Sequence, residues 1–304
     1  MTGGVLSLTP LHLGGLLALG FVAAGIGAVT GLGGGTVLVP VLVVGFGVDF
    51  RVAVAVSLTA VVANSAIATG HFLRDGLTNK RLALTLEVGT TLGGLTGGLV
   101  TSLLPRPLLE GVFAAAMLVS AELVRHRRPA GGGGTRRVAR REALAVAARP
   151  DVVPSGVESQ GALAGVVVEE DEGPVRYEGR RLWLGGSVSY VAGLLAGLLG
   201  VGGGFLKVPA MSRGMGIPVR VASATSEFMV GVTAVASLLV YFARGQVYPL
   251  LSAPVVLGVV AGSLTGTRLA TRLRPRRIEV VYIALVLSVA VVFALVALGV
   301  LRGG

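Results

Sequence analysis

Long apolar stretches alternate with short polar connections along most of this chain. Crossing the hydrocarbon core of a bilayer takes roughly 20 residues in a helix. Eight stretches come close to that length, near residues 11–30, 53–70, 82–104, 107–124, 184–199, 221–242, 249–267 and 278–300. Two more, at 35–47 and 204–217, are apolar but short. The pattern predicts an all-α polytopic membrane protein with eight to ten membrane segments.

The same order of segments occurs twice. Gly31–Pro40 reads GLGGGTVLVP, and Gly200–Pro209, 169 positions later, reads GVGGGFLKVP. At the same offset Ser57 is matched by Ser226. The chain is therefore predicted to contain two homologous repeats of about four to five membrane segments each, with glycine-broken short helices. Two such units are what a transporter with a site at the repeat interface requires.

A charged segment separates the two copies. It begins with a basic, glycine-rich run and continues into an acidic cluster, VVVEEDEG. Such a composition buries little apolar surface and favours disorder. We therefore predict a first repeat at 1–124, a charged, disordered cytoplasmic linker at 125–182 and a second repeat at 183–304. A small regulatory domain in the linker is the alternative.

The arginines indicate how the copies are oriented. If the linker is cytoplasmic and all five segments of each copy cross, the arginine-rich loop RLATRLRPRR at 268–277 is also cytoplasmic. Re-entrant short segments would place that loop outside, against the positive-inside rule. An odd number of crossings inverts the second copy, so we predict an inverted repeat.

Composition narrows the class of protein. The chain has 53% hydrophobic and 13% charged residues, which leaves too little polar surface for a soluble globule. The net charge of +11 comes from arginines in loops and the linker, so it indicates membrane orientation and not nucleic-acid binding.

There is no cysteine, and the three histidines lack metal-ligand spacing, so we predict no metal or other cofactor. No Walker A, G-x-S-x-G or H-E-x-x-H motif occurs, which argues against direct ATP use and against an enzyme.

Glycine has two predicted uses here. Isolated helical glycines such as Gly93 and Gly258 are expected to let helices approach closely. Three consecutive glycines hold a helix poorly, and broken backbone at membrane depth is tolerated where it lines a cavity or is buried in protein. Such backbone can present amide groups to an anion; a structural hinge is the alternative. The substrate-binding candidates are Gly33, Gly34, Gly35, Gly202, Gly203 and Gly204.

Polar side chains repeat on the helix that follows each glycine cluster. Ser57 and Asn64 are seven residues apart and share a helical face, and Ser226 and Thr233 repeat this spacing. The four side chains either line a symmetric substrate cavity or form hydrogen bonds between packed helices.

Two charges depart from the repeat. Lys207 stands where the first copy has Leu38, and Glu227 stands where it has Leu58. A charge within the membrane is costly and is usually functional or paired. We predict that Lys207 attracts an anion and that Glu227 takes up a proton. A mutual ion pair, or snorkelling to the interface, is the alternative.

Arg51 and Arg220 are symmetric and precede the polar helices. They either steer anions to the two mouths of the protein or anchor loops at the headgroups.

The doubled pattern G-x-G-G-G-x-x-x-V-P, each followed by a helix of small and hydroxyl residues, resembles the sulfite exporter TauE/SafE family of membrane permeases. The resemblance covers about 20–120 and 186–300. It implies a multi-pass carrier of the inner (cytoplasmic) membrane that moves sulfite, a sulfonate or a related sulfur-containing or carboxylate anion. We therefore expect a secondary transporter working by alternating access, with a small anionic substrate, lipid and protons as partners and the oligomeric state open. A passive anion channel, or a signalling or structural membrane protein, is the alternative.

Overall fold

The computed structural model describes residues 10–30, 34–74, 76–125, 164–169, 173–178, 181–270, 287–288 and 291–293. The first half of the chain is helical throughout its described membrane part. A six-residue helix in this half runs directly into a π-helical turn at Val41–Gly45. The helices are α1 (Pro10–Thr30), α2 (Gly35–Pro40), α3 (Phe50–Arg74), α4 (Lys80–Thr101) and α5 (Arg106–Arg125).

The second half has the same order of elements. Its short helix also ends in a π-helical turn, at Ala210–Gly214. The helices are α6 (Leu182–Leu199), α7 (Gly204–Pro209), α8 (Val219–Ala243) and α9 (Pro249–Ala270). Helices α7, α8 and α9 begin and end 169 residues after α2, α3 and α4. The last predicted stretch, 278–300, lies mostly outside the described residues.

Both short helices end at a proline, Pro40 or Pro209. Proline cannot donate a backbone hydrogen bond, so it loosens a continuous helix. The backbone then widens into the π-helical turn, a feature that often accompanies functional sites. The two short apolar segments predicted from the sequence are these helix-and-turn units.

Three helices in the described part of the chain are long and apolar enough to cross a membrane: Phe50–Arg74, Leu182–Leu199 and Val221–Ala243. Shorter apolar helices occupy Pro10–Gly25, Gly35–Gly45 and Pro249–Thr265. The prediction of a helical, multi-pass membrane part is confirmed. The total of eight to ten membrane segments stays a prediction.

Helices of one half pack closely against helices of the other. Helix α1 packs on α9, and α4 packs on α6. A methyl group at Gly258 would collide with the carbonyl oxygen of Leu17, and one at Gly93 would collide with that of Tyr190. The predicted packing role of these glycines is confirmed. Helices α3 and α8 pack on each other between these pairs.

An aromatic cluster joins three parts of the apolar core. Phe50 of α3 lies edge-on to Phe113 of α5, with ring centroids 6.1 Å apart. Phe293 completes the cluster, 6.3 Å from Phe50 and 4.9 Å from Phe113. The segment around residue 293 therefore packs against the first half of the chain.

The linker contains a feature that composition did not predict. Strands β1 (Ala164–Glu169) and β2 (Gly173–Glu178) pair antiparallel, with Val167 opposite Val175. The run of valines explains the strand, since β-branched residues favour extended backbone. The all-α prediction thus applies to the membrane part, and the linker contains a pair of strands; its disorder elsewhere stays a prediction. The remainder of 126–180 lies outside the described residues.

Candidate functional site

The two glycine motifs meet. Ser57 on α3 donates a hydrogen bond of 2.8 Å from its hydroxyl to the carbonyl oxygen of Gly200, in the second motif. A methyl group at Gly35, in the first motif, would collide with that same carbonyl and lie 2.9 Å from Ser57 Oγ. Only glycine leaves room for this approach. The structure therefore brings two segments that are far apart in sequence into direct contact.

The backbone of the second motif needs glycine for a further reason. Gly200, Gly202 and Gly203 have φ angles of 71°, 79° and 70°, in the left-handed region where a side chain is unfavourable. Gly34, the counterpart of Gly203, has a φ of −70°. The motifs are thus alike in sequence but differ in backbone conformation at this pair of glycines. Gly204 begins α7 and is buried, and Gly33 lies outside the described residues.

Lys207 lies on α7 and is only 1% exposed. Its Nζ donates a hydrogen bond of 3.2 Å to Oγ1 of Thr233 on α8. Within the described residues it makes no salt bridge, because the one pair found there joins Arg106 and Glu110. The hydrogen bond to Thr233 is therefore the direct polar contact that the described residues give to the buried ammonium group.

A second buried charge, which the sequence analysis missed, lies beside it. Glu87 on α4 accepts hydrogen bonds at Oε1 from the hydroxyls of Thr91 and Thr233, each 3.0 Å long. Its other oxygen, Oε2, is buried without a hydrogen-bond partner in the described part of the chain. Position 87 is matched at the repeat offset by Val256. The reasoning that selected Lys207 and Glu227 would have found it.

Glu227 on α8 is held from the first half of the chain. The amide of Asn64 donates to Glu227 Oε1 at 3.3 Å, and the hydroxyl of Ser65 donates to the Glu227 backbone carbonyl. Ser263 on α9 donates in turn to Oδ1 of Asn64. Asn64 and Thr233, which are symmetric in sequence, thus each hold one carboxylate.

We call Asn64, Glu87, Lys207, Glu227 and Thr233 the central polar cluster. Lys207 and Glu87 both contact the hydroxyl of Thr233, and Lys207 interacts electrostatically with both carboxylates. The residues at an offset of 169 from these three charged positions, Val256, Leu38 and Leu58, are all apolar. The charges of the cluster are therefore absent from the equivalent positions of the other half of the chain.

Ser226 differs from its symmetric counterpart Ser57. It is buried, and its hydroxyl has no hydrogen-bond partner among the residues that the structure describes. A buried hydroxyl without a protein partner calls for an explanation, and a bound water or ion is one.

Arg51 has a structural contact. Its Nε and Nη2 donate to the carbonyl oxygens of Thr101 and Leu104, at 3.2 and 3.0 Å. Arg244 donates to the carbonyl of Gly98 on the same helix at 2.8 Å. Both cations satisfy carbonyl groups at the C-terminal end of α4 and complement its dipole. The steering role of Arg51 stays a prediction, and the side chain of Arg220 lies outside the described part.

In the described ranges no group of three His, Cys, Asp or Glu side chains is arranged to hold a metal ion.

The sequence model described as "Sulfite exporter TauE/SafE" matches residues 16–293, which is most of the chain. The chain belongs to this family. It is 25% identical over 276 residues to a protein of Bacillus subtilis (strain 168) named "Probable membrane transporter protein YunE", covering 88% of this chain and 91% of that protein. No solved structure matches it. The protein is therefore a multi-pass membrane transporter of the TauE/SafE family and not an enzyme.

Proposed function

We propose that the protein is a secondary transporter for a small anion, namely sulfite, a sulfonate or a related sulfur-containing anion, in the cytoplasmic membrane. The observation that carries this proposal is Lys207, a buried cation on the helix that begins at the meeting point of the glycine motifs. A buried charge in a membrane protein usually marks a substrate or ion pathway.

The hydrogen bonds of Lys207 leave capacity for a ligand. Its ammonium group has three N–H donors. In the described part of the chain one of them is used, in the hydrogen bond to Thr233. The hydroxyl of Ser226 has no hydrogen-bond partner among the described residues. A sulfonate or sulfite offers several acceptor oxygens to such donors. The glycine motifs, Ser57 and Asn64 complete the proposed site at the contact between the halves.

We further propose that the two halves are inverted repeats and that transport proceeds by alternating access. Equal element bounds at an offset of 169 residues support a repeat. So does the reciprocal packing, in which α1 meets α9 of the other half and α6 meets α4. Rocking of one repeat against the other about a central site is the mechanism that such folds use.

The direct test is uptake by the purified protein in proteoliposomes, with a panel of sulfite, sulfate, thiosulfate, sulfonates and small carboxylates. We expect saturable uptake and exchange of at least one sulfur-containing anion. If no anion of the panel moves or stabilises the protein, the proposal is wrong. Large single-channel currents in place of saturable exchange would identify a channel.

Lys207→Met tests the site itself. Loss of a charge-assisted contact of about 1.5–3 kcal/mol predicts a decrease of roughly 10- to 100-fold in kcat/KM for uptake. Leu38→Met, at the symmetric position, is the matched control and should transport normally. Lys207→Met leaves two buried carboxylates without their positive partner. The double variant Glu87→Gln/Lys207→Met should therefore fold better than Lys207→Met and still show the loss of transport. Normal uptake by a folded Lys207→Met protein would exclude Lys207 from the site.

A further inference from the structure

We propose that Glu87 is the residue that binds the coupling proton, and that Thr233 connects it to the anion site at Lys207. This inference rests on the proposed anion transport and assigns the proton to a different carboxylate from Glu227. It follows from the charges, the hydrogen bonds and the unpartnered oxygen of the central polar cluster.

The charge balance explains why anion and proton should bind together. With both carboxylates ionised, the cluster holds two negative charges against the single positive charge of Lys207. An anion that binds Lys207 adds another negative charge in a buried region, which is costly. A proton from the aqueous side that binds one carboxylate restores the original charge. Because binding linkage is reciprocal, a bound proton also favours the anion. Both leave together on the other side, which is symport.

The contacts favour Glu87 over Glu227 as the proton acceptor. Oε2 of Glu87 is buried and accepts no hydrogen bond from the described residues, and an ionised oxygen in that state is unfavourable. Oε1 can keep its hydroxyl donors from Thr91 and Thr233 when Oε2 is protonated. Glu227 instead accepts from the amide of Asn64, and neither of its carboxylate oxygens is fully buried without a partner among the described residues.

Thr233 provides the connection because its hydroxyl has a single hydrogen. That hydroxyl accepts from Lys207 at 3.2 Å. Its own hydrogen can go to Glu87 Oε1 at 3.0 Å or to the Met229 carbonyl at 2.8 Å. When Lys207 turns toward an anion, Thr233 loses its donor, and the environment of Glu87 changes with it. Occupancy at one site is thus transmitted through one hydroxyl to the other.

The neighbouring helices supply no competing charge among the described residues. On α7 the charged group that interacts with Glu87 is Lys207, which also interacts with Glu227 on α8. The side chain of Arg220, also on α8, lies outside the described part. On α6, the hydroxyl of Tyr190 accepts a hydrogen bond from the hydroxyl of Thr96. On α3 and α9 the groups that reach the cluster are the neutral Asn64 and Ser263. Lys207 and Glu87 contact the same Thr233 hydroxyl. A metal cation bound to Glu87 would be repelled by the positive charge of Lys207, so a proton is the better ligand.

The experiment separates coupling from transport. Proteoliposomes are loaded for two assays: accumulation driven by a pH gradient, and exchange of labelled for unlabelled substrate without a gradient. Methanesulfonate is the probe if the panel shows that it is carried, because its charge is constant over the pH range used; otherwise the carried sulfonate is used. For one proton per singly charged anion, a gradient of about one pH unit gives about tenfold accumulation.

We expect Glu87→Gln to lose this accumulation, to about onefold, while exchange persists. Glu227→Gln should retain accumulation at a lower rate. Glu110→Gln, which alters another buried glutamate outside the cluster, is the matched control and should accumulate as the wild type does. Thr233→Val keeps the shape of the side chain but removes its hydroxyl, so it should weaken the pH dependence of exchange.

Three outcomes are distinguishable. Exchange without accumulation in Glu87→Gln alone supports the assignment. Tenfold accumulation by Glu87→Gln, or its loss in Glu227→Gln alone, overturns it and leaves anion transport intact. Absence of exchange in the wild type contradicts the proposed function itself.

Discussion

The contact between the two glycine motifs can be tested with a pair of identical substitutions. Ser57→Ala removes the hydroxyl that donates to Gly200 across the two halves of the chain. Ser226→Ala makes the same change at the symmetric position, where the hydroxyl has no partner among the described residues. Both serines are buried, so the loss of one oxygen atom from a packed helix is common to both variants.

The difference in the free energy of unfolding between Ser57→Ala and Ser226→Ala therefore measures the contribution of one hydrogen bond. Removing a buried donor leaves its acceptor unsatisfied at a cost of about 1–3 kcal/mol, whereas hydrogen bonds between membrane helices average about 0.6 and reach about 1.7 kcal/mol. At 2.8 Å and fully buried, the bond from Ser57 belongs toward the upper part of the membrane range. We expect Ser57→Ala to lower the free energy of unfolding by about 1–2 kcal/mol. Ser226→Ala should leave it unchanged or raise it slightly, because an unsatisfied hydroxyl is removed.

The assay is reversible unfolding in mixed micelles with increasing SDS, followed by circular dichroism, on both variants and the wild type without substrate. Addition of a transported anion then gives a second readout: wild-type protein should gain stability through binding, and Ser226→Ala should gain less if its hydroxyl contacts the ligand. Equal destabilisation by the two substitutions would contradict this prediction, because it would show that packing and not the Gly200 contact determines the loss of stability.

Two further predictions concern the helices around the site. Gly258→Ala should reduce the amount of folded protein and lower its stability by about 1–3 kcal/mol, since overpacking against the Leu17 carbonyl forces α1 and α9 apart; Gly25→Ala, whose added methyl group meets nothing within 4 Å, should fold as the wild type in the same SDS titration. Arg51→Gln should cost about 0.3–1 kcal/mol of stability, because it weakens the termination of α4, with little change in the dependence of uptake on ionic strength; a strong loss of that salt dependence would instead show that Arg51 steers the substrate.

Much of the helical architecture follows from local patterns in the sequence. The apolar stretches predict helices because backbone groups in a bilayer must be paired within the segment. The glycine runs and the prolines that follow predict where two helices are short, and α2 and α7 occupy those positions. The hairpin at 164–178 was not predicted, since a few valines within a charged linker are a weak signal beside its overall composition.

The site was only partly predictable. Lys207 and Glu227 were predicted because a charged residue within an apolar segment can be recognised from the sequence alone. Glu87 satisfies the same criterion and was overlooked. The spacing of Ser57 and Asn64 placed them on one face of α3, and both do contact the second half of the chain.

The recurring glycine motif, the positions of the short helices and the charges found in one half alone can all be read from the sequence, since they depend on which residues occupy positions 169 residues apart. Tertiary structure alone decided the partners: that Ser57 meets Gly200, that Thr233 lies between Glu87 and Lys207, and that Arg51 closes the end of α4. The physical reason is that a helix pattern specifies a face, whereas the groups opposite that face depend on how helices distant in sequence rotate and pack. The two glycine motifs are close because the carbonyl of Gly200 meets both a hydroxyl, that of Ser57, and a residue without a side chain, Gly35.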